Sequence, residues 1–128
     1  MAVNALKNYD NSNLESVKVQ HNNFKSPDQL MPFLASLPKN VRSLYLGYNK
    51  ISCKGIEQVG KIMLDYKKFS NLRLLNLENT SLSDNGAAAL FPFLYYHQSL
   101  NILDLSLNNI SDLSAECVGK LISQGSSL

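Results

Sequence analysis

Cysteine, net charge and long apolar stretches are all scarce in this sequence of 128 residues. Two cysteines, Cys53 and Cys117, are too few for a disulfide framework, so we expect reduced thiols in an intracellular protein. A net charge of +2 is too small to favour nucleic acid or an anionic membrane as the partner. No apolar run approaches the ~20 residues needed to cross a bilayer, and polar residues interrupt the N-terminal stretch where a signal peptide would be apolar. We therefore expect a cytoplasmic protein without membrane insertion; secretion as a microbial effector is the alternative.

One apolar pattern recurs four times along the chain. Its second copy reads Val41-x-x-Leu44-x-Leu46-x-x-Asn49-x-Ile51. The copies begin at Leu14, Val41, Leu72 and Leu100, and their turn positions are Asn22, Asn49, Thr80 and Asn108. A fixed internal pattern at this spacing predicts stacked units that bury their apolar sides against one another. We place repeats at 14–40, 41–71, 72–99 and 100–127 within a single domain spanning 1–128.

Each repeat combines a strand pattern with a helix pattern. Leu44-Tyr45-Leu46 alternates apolar and polar residues, as a short strand does. Apolar residues then recur at helical spacing, as in Ile56, Val59 and Ile62. The predicted strands are Ser16–Val19, Ser43–Leu46, Leu74–Leu77 and Ile102–Leu105, and the predicted helices are Pro27–Ser36, Lys54–Lys67, Asp84–Tyr96 and Leu113–Ser123. We expect every connection between parallel strands to be right-handed.

The turns between strand and helix carry two further signals. A buried side chain at Asn49 can bond the turn backbone and link to the asparagine of the next unit. Without it, those backbone groups would be unpaired at ~1–3 kcal/mol each. A serine follows each turn and is a preferred helix N-cap; these serines are Ser26, Ser52, Ser83 and Ser111.

Together these features resemble a leucine-rich repeat, and the repeat length and full helix resemble the ribonuclease-inhibitor subtype. The resemblance covers nearly the whole chain. It implies an α/β solenoid, a horseshoe arc with parallel strands on the concave face and helices on the convex face. Departures are Thr80 at a turn position, Ser114 where the second and third repeats have glycine, and three extra residues near 65–70. Because the family serves many unrelated binding roles, the resemblance implies a protein partner without identifying it.

The ends of the chain also fit an array of repeats. Residues 1–13 are interpreted as a partial N-terminal repeat or a cap. The C-terminal end shows no clear capping pattern, and an uncapped solenoid end exposes its core. We therefore expect either a fragment of a longer array or a capping last helix, with end-to-end self-association as a consequence of an uncapped end.

The candidate binding site is the concave face, where residues between the ladder leucines project from the sheet. The candidates are Lys18, Tyr45, Tyr48, Asn76, Glu78 and Asp104. Tyr45 and Tyr48 would be anchors of the kind that interfaces use, and Gly47 is expected to leave room between them. Leu74, Ile102 and Leu107 would add apolar surface. Charge changes along the face from Lys18 to Asp104, which would orient a partner. A solvated face without a partner is the alternative interpretation.

The sequence predicts no catalytic residue, no metal site and no cofactor. His21 and His97 fall on different sides of the predicted repeat, and neither cysteine has a neighbouring base. The leading hypothesis is a protein–protein interaction module. One alternative is a fragment of a GTPase activator similar to the Ran-activating family, which usually carries more repeats and an acidic tail. The other is a structural spacer of a receptor or of a microbial effector.

Overall fold

The computed structural model describes residues 14–24, 27–65, 69–97 and 99–123, in which short strands and helices alternate. The strands are β1 (Ser16–Lys18), β2 (Ser43–Tyr45), β3 (Leu74–Asn76) and β4 (Ile102–Asp104). The helices are α1 (Pro27–Ser36), α2 (Ser52–Asp65), α3 (Asp84–Tyr96) and α4 (Asp112–Ser123). The strands form one parallel sheet in the order β1-β2-β3-β4. The predicted α/β repeat solenoid is confirmed, while the handedness of the connections and the repeat boundaries stay predictions.

Equivalent residues of successive repeats lie opposite each other in the sheet. Ser43 pairs with Ser16 on one side and with Leu74 on the other, and Leu74 pairs with Ile102. This register keeps the central apolar residue of every strand, Val17, Leu44, Leu75 and Leu103, on the same face, since a slip of one residue would reverse them. The three extra residues of the second repeat are therefore accommodated outside the strands.

Strand and helix side chains share one apolar core. Leu44 and Leu75 from the strands are fully buried, and so are Ile56 and Val59 from α2. The fourth repeat is less well covered, because Leu103 is only partly buried and 67% of Leu113 is exposed.

The element boundaries differ from the predicted ones by one or two residues. Each strand ends one residue earlier than predicted, whereas α1 and α3 match their predicted limits. Helix α2 begins at Ser52 instead of Lys54, and α4 begins at Asp112 instead of Leu113. Four predictions lie outside the described residues: the cap at 1–13, the Ser26 cap, a helix extending to Lys67, and the repeat beyond residue 123.

The predicted serine caps are confirmed only in part. Ser111 Oγ accepts a hydrogen bond from the backbone N–H of Leu113, at 3.3 Å. Ser83 makes no capping bond, because its hydroxyl lies 2.9 Å from the Sγ of Cys53 in the preceding repeat. Ser52 is already the first helical residue of α2. Ser83 thus occupies the predicted N-cap position of α3 but lacks the predicted hydroxyl bond, and the cap prediction for Ser52 is wrong.

The turn asparagine joins neighbouring repeats through backbone groups. Asn49 is fully buried. Its Oδ1 accepts from the backbone N–H groups of Asn22 at 2.9 Å and Phe24 at 3.2 Å. Its Nδ2 donates to the carbonyl oxygens of Val19 at 3.0 Å and Leu46 at 2.8 Å. The predicted bonding of the turn backbone is confirmed, but the link runs to the backbone of the preceding repeat and not to an asparagine side chain of the next.

This bonding of a turn side chain to the preceding repeat recurs at Asn108 and is absent at Thr80. Asn108 Oδ1 accepts from the backbone N–H groups of Thr80 and Leu82, both at 2.9 Å. Thr80 does not do this for the second repeat, because its hydroxyl donates to the Leu77 carbonyl of its own repeat at 2.9 Å. The N–H of Ile51 bonds instead to a carbonyl two residues earlier in its own turn, at 2.8 Å. The junction between the second and third repeats thus lacks the asparagine side-chain amide that bridges the turns at the other two junctions.

Candidate functional site: the concave face of the sheet

The candidate site is the face of the sheet that is turned away from the helices, called here the concave face. Residues in β1, β2 and β3 alternate between buried and accessible, so every second side chain projects from this face. The pairing puts Lys18, Tyr45, Asn76 and Asp104 in one row across the sheet. Tyr48 and Glu78 lie beside this row at the ends of their strands. The structure therefore brings the six predicted residues together in one patch.

At the start of the patch, cationic and imidazole side chains cover the tyrosines. Lys18 Nζ lies 5.3 Å from the centroid of the Tyr45 ring. The ring of His21 stacks on that of Tyr48, with centroids 4.5 Å apart and planes 22° apart. Each tyrosine is positioned by a neighbour from the first repeat and keeps part of its surface free, 37% in the case of Tyr48.

The expectation that Gly47 leaves room for a partner is wrong. Gly47 is buried, and a Cβ at this position would lie 2.6 Å from Asn76 Oδ1 and 3.1 Å from the Glu78 carbonyl oxygen. Asn76 occupies the space beside the glycine, and its Oδ1 accepts from the N–H of Glu78 at 3.2 Å. Glycine is needed here because the next strand approaches so closely.

The far end of the patch carries two carboxylates. Tyr48 donates its hydroxyl to Glu78 Oε1 at 3.0 Å, and Asn76 Nδ2 donates to Asp104 Oδ2 at 3.0 Å. The bond to Glu78 raises the pKa of the Tyr48 hydroxyl, and desolvation and the negative charges of Glu78 and Asp104 raise it further. The ion pairs of the described residues lie elsewhere, between residues 15 and 42 and between residues 116 and 120. The carboxylates therefore interact with neutral donors.

Apolar residues border these carboxylates. Ile102 is 55% exposed and Leu107 is 66% exposed, which confirms that both add apolar surface. The backbone of Leu107 is left-handed, with φ at 55°. The equivalent residues His21, Tyr48 and Asn79 have φ values of 59°, 58° and 50°. Sequence reasoning missed this shared conformation, since glycine or asparagine would have signalled it and only Asn79 does.

Residues 70–91 and 96–119 match a family model described as a leucine-rich repeat. These two stretches are leucine-rich repeats. The finer assignment to the ribonuclease-inhibitor subtype stays a prediction. No curated protein matches the sequence. Within the described residues, no helix has the length and apolar character that a membrane span requires.

Two solved structures share the fold of this chain. One is described as "Leiomodin-1 Actin-Binding Site 2 (ABS2)"; it is 18% identical with a TM-score of 0.68, and the match covers 95% of this chain and 86% of that chain. The other is the tropomodulin C-terminal domain of Caenorhabditis elegans, 14% identical with a TM-score of 0.52 over 96% of this chain and 90% of that chain. At these identities the likeness concerns the fold alone.

Asp84 joins two successive helices of the chain. It is the first residue of α3, and its carboxylate accepts from the Ser111 hydroxyl at 2.6 Å, the Ser111 N–H at 2.9 Å and the Ser114 hydroxyl at 2.5 Å. The bonds from Ser111, followed by that from Ser114, lower the pKa of Asp84. Ser114, at the position where the second and third repeats have glycine, therefore has a partner in the preceding repeat.

His97 joins the end of α3 to the loop before β3. Its Nε2 lies 2.6 Å from the carbonyl oxygen of Phe69, and its ring centroid lies 4.7 Å from that of Phe93. A carbonyl oxygen can only accept, so Nε2 carries the hydrogen. Burial lowers the pKa of His97. In the described part of the chain no three His, Cys, Asp or Glu side chains are placed to hold a metal ion.

Proposed function

We propose that this protein is a protein-interaction module that binds its partner through the concave face. The observation that carries the proposal is the exposure of Ile102, Leu107 and Tyr48 on the same face of the sheet. A solvated sheet face does not need large apolar side chains, whereas a binding surface uses them with tyrosine as an anchor. In this proposal Tyr45 and Tyr48 provide contact area, and Lys18, Asn76, Glu78 and Asp104 orient the partner.

The name of one structural neighbour supports an interaction role. The leiomodin-1 structure is described as an actin-binding site, so a domain of this fold is named for binding another protein. Actin is therefore the first candidate partner to test for binding to this chain. A cytoplasmic location, where Cys53 and Cys117 would stay reduced, is part of the same proposal.

Photo-crosslinking tests which face binds. A benzoylphenylalanine residue is placed at position 45 or 107 on the concave face, or at the exposed helix positions 57 or 88. We expect positions 45 and 107 to crosslink the same protein, first in mixtures with actin and then in extracts. Crosslinks from positions 57 and 88 alone would refute concave binding. A structural spacer would give no crosslink from either face. A GTPase-activator fragment is tested separately, since it would accelerate GTP hydrolysis by a small GTPase.

A pull-down compares Tyr45→Ala/Tyr48→Ala with Lys54→Ala/Glu57→Ala, a matched pair of exposed helix residues. The tyrosine variant should lose about 1–3 kcal/mol of partner affinity per anchor, as truncated hot spots do. The helix variant should bind like the wild type. If the tyrosine variant captured as much partner as the wild type, Tyr45 and Tyr48 would not be part of the binding site.

A further inference from the structure

Positive and negative side chains on the concave face are partnered differently. Lys18 lies over the Tyr45 ring and His21 stacks on Tyr48, so the groups of the first repeat contact aromatic surface. Glu78 and Asp104, in contrast, accept only from neutral donors among the described residues: the Tyr48 hydroxyl, the Asn76 amide, and the N–H and hydroxyl of Ser106. Neither carboxylate takes part in an ion pair within the part of the chain that the structure describes.

Apolar side chains lie on both sides of this negative charge. Along β4 and the turn that follows it, the residues of this face are Ile102, Asp104, Ser106 and Leu107, in the order apolar, acidic, polar, apolar. Ile102 lies at the start of the strand and Leu107 in the turn, so along the chain they are on opposite sides of Asp104. Tyr48 adds aromatic surface next to Glu78.

Leu107 has the same left-handed backbone conformation as His21, Tyr48 and Asn79, which occupy the same turn position in the other repeats. A leucine at φ 55° is in a conformation that side chains with a Cβ rarely adopt. With 66% of its surface exposed, Leu107 also contributes little to the core. The conformation is therefore a property of the repeat turn, and what distinguishes Leu107 is its exposed apolar side chain.

We propose that the acidic end of the concave face, formed by Tyr48, Glu78, Ile102, Asp104 and Leu107, binds a protein segment in which a lysine or arginine lies between apolar side chains. This inference rests on the proposed function of the concave face. The basic side chain forms charge-assisted hydrogen bonds with Glu78 and Asp104. The flanking apolar side chains pack on Ile102 and Leu107.

Peptide display on the wild-type protein is the direct test. A library of random ten-residue peptides is selected against the immobilised chain. Enriched sequences should carry a lysine or arginine with apolar residues within three positions on each side. An enriched peptide should bind more weakly when its basic residue is replaced by glutamine, and more weakly at high salt, since salt screens exposed charges. Enrichment of acidic sequences, or of none with a basic residue, would overturn the proposal.

Two pairs of variants test the residues. Glu78→Gln/Asp104→Asn should weaken the enriched peptide about threefold to tenfold, the range expected for two exposed charge contacts. Glu57→Gln/Glu116→Gln removes the same net charge from exposed helix positions and should leave binding unchanged. Leu107→Asn should raise the melting temperature, because asparagine tolerates left-handed φ, and should weaken peptide binding. If Leu107 were only structural, the melting temperature alone would change.

The outcomes separate this inference from the proposed function. Crosslinks from positions 45 and 107 without a preference for basic peptides would refute the acidic-end proposal and leave concave binding in place. Crosslinks from the helix face alone would refute both. Should Glu78→Gln/Asp104→Asn fail to fold, the composition of peptides selected on the wild type decides the question by itself.

Discussion

At the scale of single residues, Asn49 joins the turns of two repeats. Asn49→Ala removes the acceptor for the backbone N–H groups of Asn22 and Phe24. Leaving buried donors unpaired should lower the free energy of unfolding by about 1–3 kcal/mol. Chemical denaturation measures this, with the exposed neighbour change Lys50→Ala as the control. Equal midpoints for Asn49→Ala and the wild type would contradict the role of the turn amide.

Thr80 gives the converse prediction. Its hydroxyl donates to a carbonyl of its own repeat. The Ile51 N–H of the preceding repeat therefore donates to the carbonyl of Asn49 in its own turn and not to a side chain at position 80. Thr80→Asn would supply the amide that the other two junctions have, so it should be neutral or stabilising. A thermal melt of the single variant tests this. If Thr80→Asn lost as much stability as Asn49→Ala, the backbone of the second turn could not form the bonds to the asparagine side chain that the other turns form.

At the scale of elements, Asp84 holds the start of α3 to the start of α4. Because the Ser111 and Ser114 bonds lower the pKa of Asp84, its contribution to stability is present at neutral pH. The contribution is lost in acid, as the pH falls through the lowered pKa. Asp84→Asn should therefore destabilise the protein at pH 7, and the difference from wild type should shrink at pH 3.

Chemical unfolding at both pH values measures this difference. Asp112→Asn, an exposed acid in the first turn of α4, is the control for a general helix-terminus effect. If the free energy of unfolding of Asp84→Asn differed from that of the wild type by the same amount at pH 7 and pH 3, the effect would come from packing and not from the charge of Asp84.

The His97 contact at the end of α3 predicts a second pH dependence. Burial lowers the pKa of His97 below its ordinary value of 6.5, so protonation favours the unfolded chain. The stabilising contribution is complete above that value and is lost as the pH falls below it. The melting temperature of wild type should fall between pH 7.5 and pH 5.5.

His97→Gln keeps an N–H donor near the Phe69 carbonyl without titrating, so its melting temperature should depend less on pH over the same range. The exposed His21→Gln serves as the control. Parallel pH curves for His97→Gln and wild type would show that another group causes the dependence.

The sequence predicted elements well and contacts between repeats poorly. The strands follow from the alternation around residues such as Leu44, which reports burial directly. Helix α3 followed from the helical spacing of its apolar residues. The bonds of Asp84 to Ser111 and of His97 to Phe69 span about one repeat, and no local pattern contains both partners. The Gly47 expectation was wrong for the same reason, since the neighbour that fills its space is Asn76 of the next repeat.

The whole molecule should be least protected in its fourth repeat. Leu103, Leu105 and Ile110 are partly buried there, whereas the equivalent Leu75 and Leu77 are fully buried. Local opening is easiest where few apolar contacts resist it. Hydrogen exchange with mass spectrometry should show α4 exchanging faster than α2. Equal protection of the two helices would contradict this.

The exchange should be measured at two protein concentrations. End-to-end self-association, which remains a prediction, would slow the exchange of the fourth repeat at the higher concentration, with a rise in mass by light scattering. Unchanged mass and exchange across concentrations would contradict self-association.

The missing amide at Thr80 also has a mechanical consequence. Repeats behave as a row of units, each coupled to its neighbours. At the junction of the second and third units the helices α2 and α3 pack against each other, and the turns keep a backbone bond, from the Ser52 N–H to the Thr80 carbonyl at 3.2 Å, in place of the side-chain amide bonds of the other junctions. Bending should therefore concentrate at this one joint on the side of the turns. The bond between Tyr48 and Glu78 spans the same two units, so a partner bound there would contact both sides of the junction and fix the curvature of the arc.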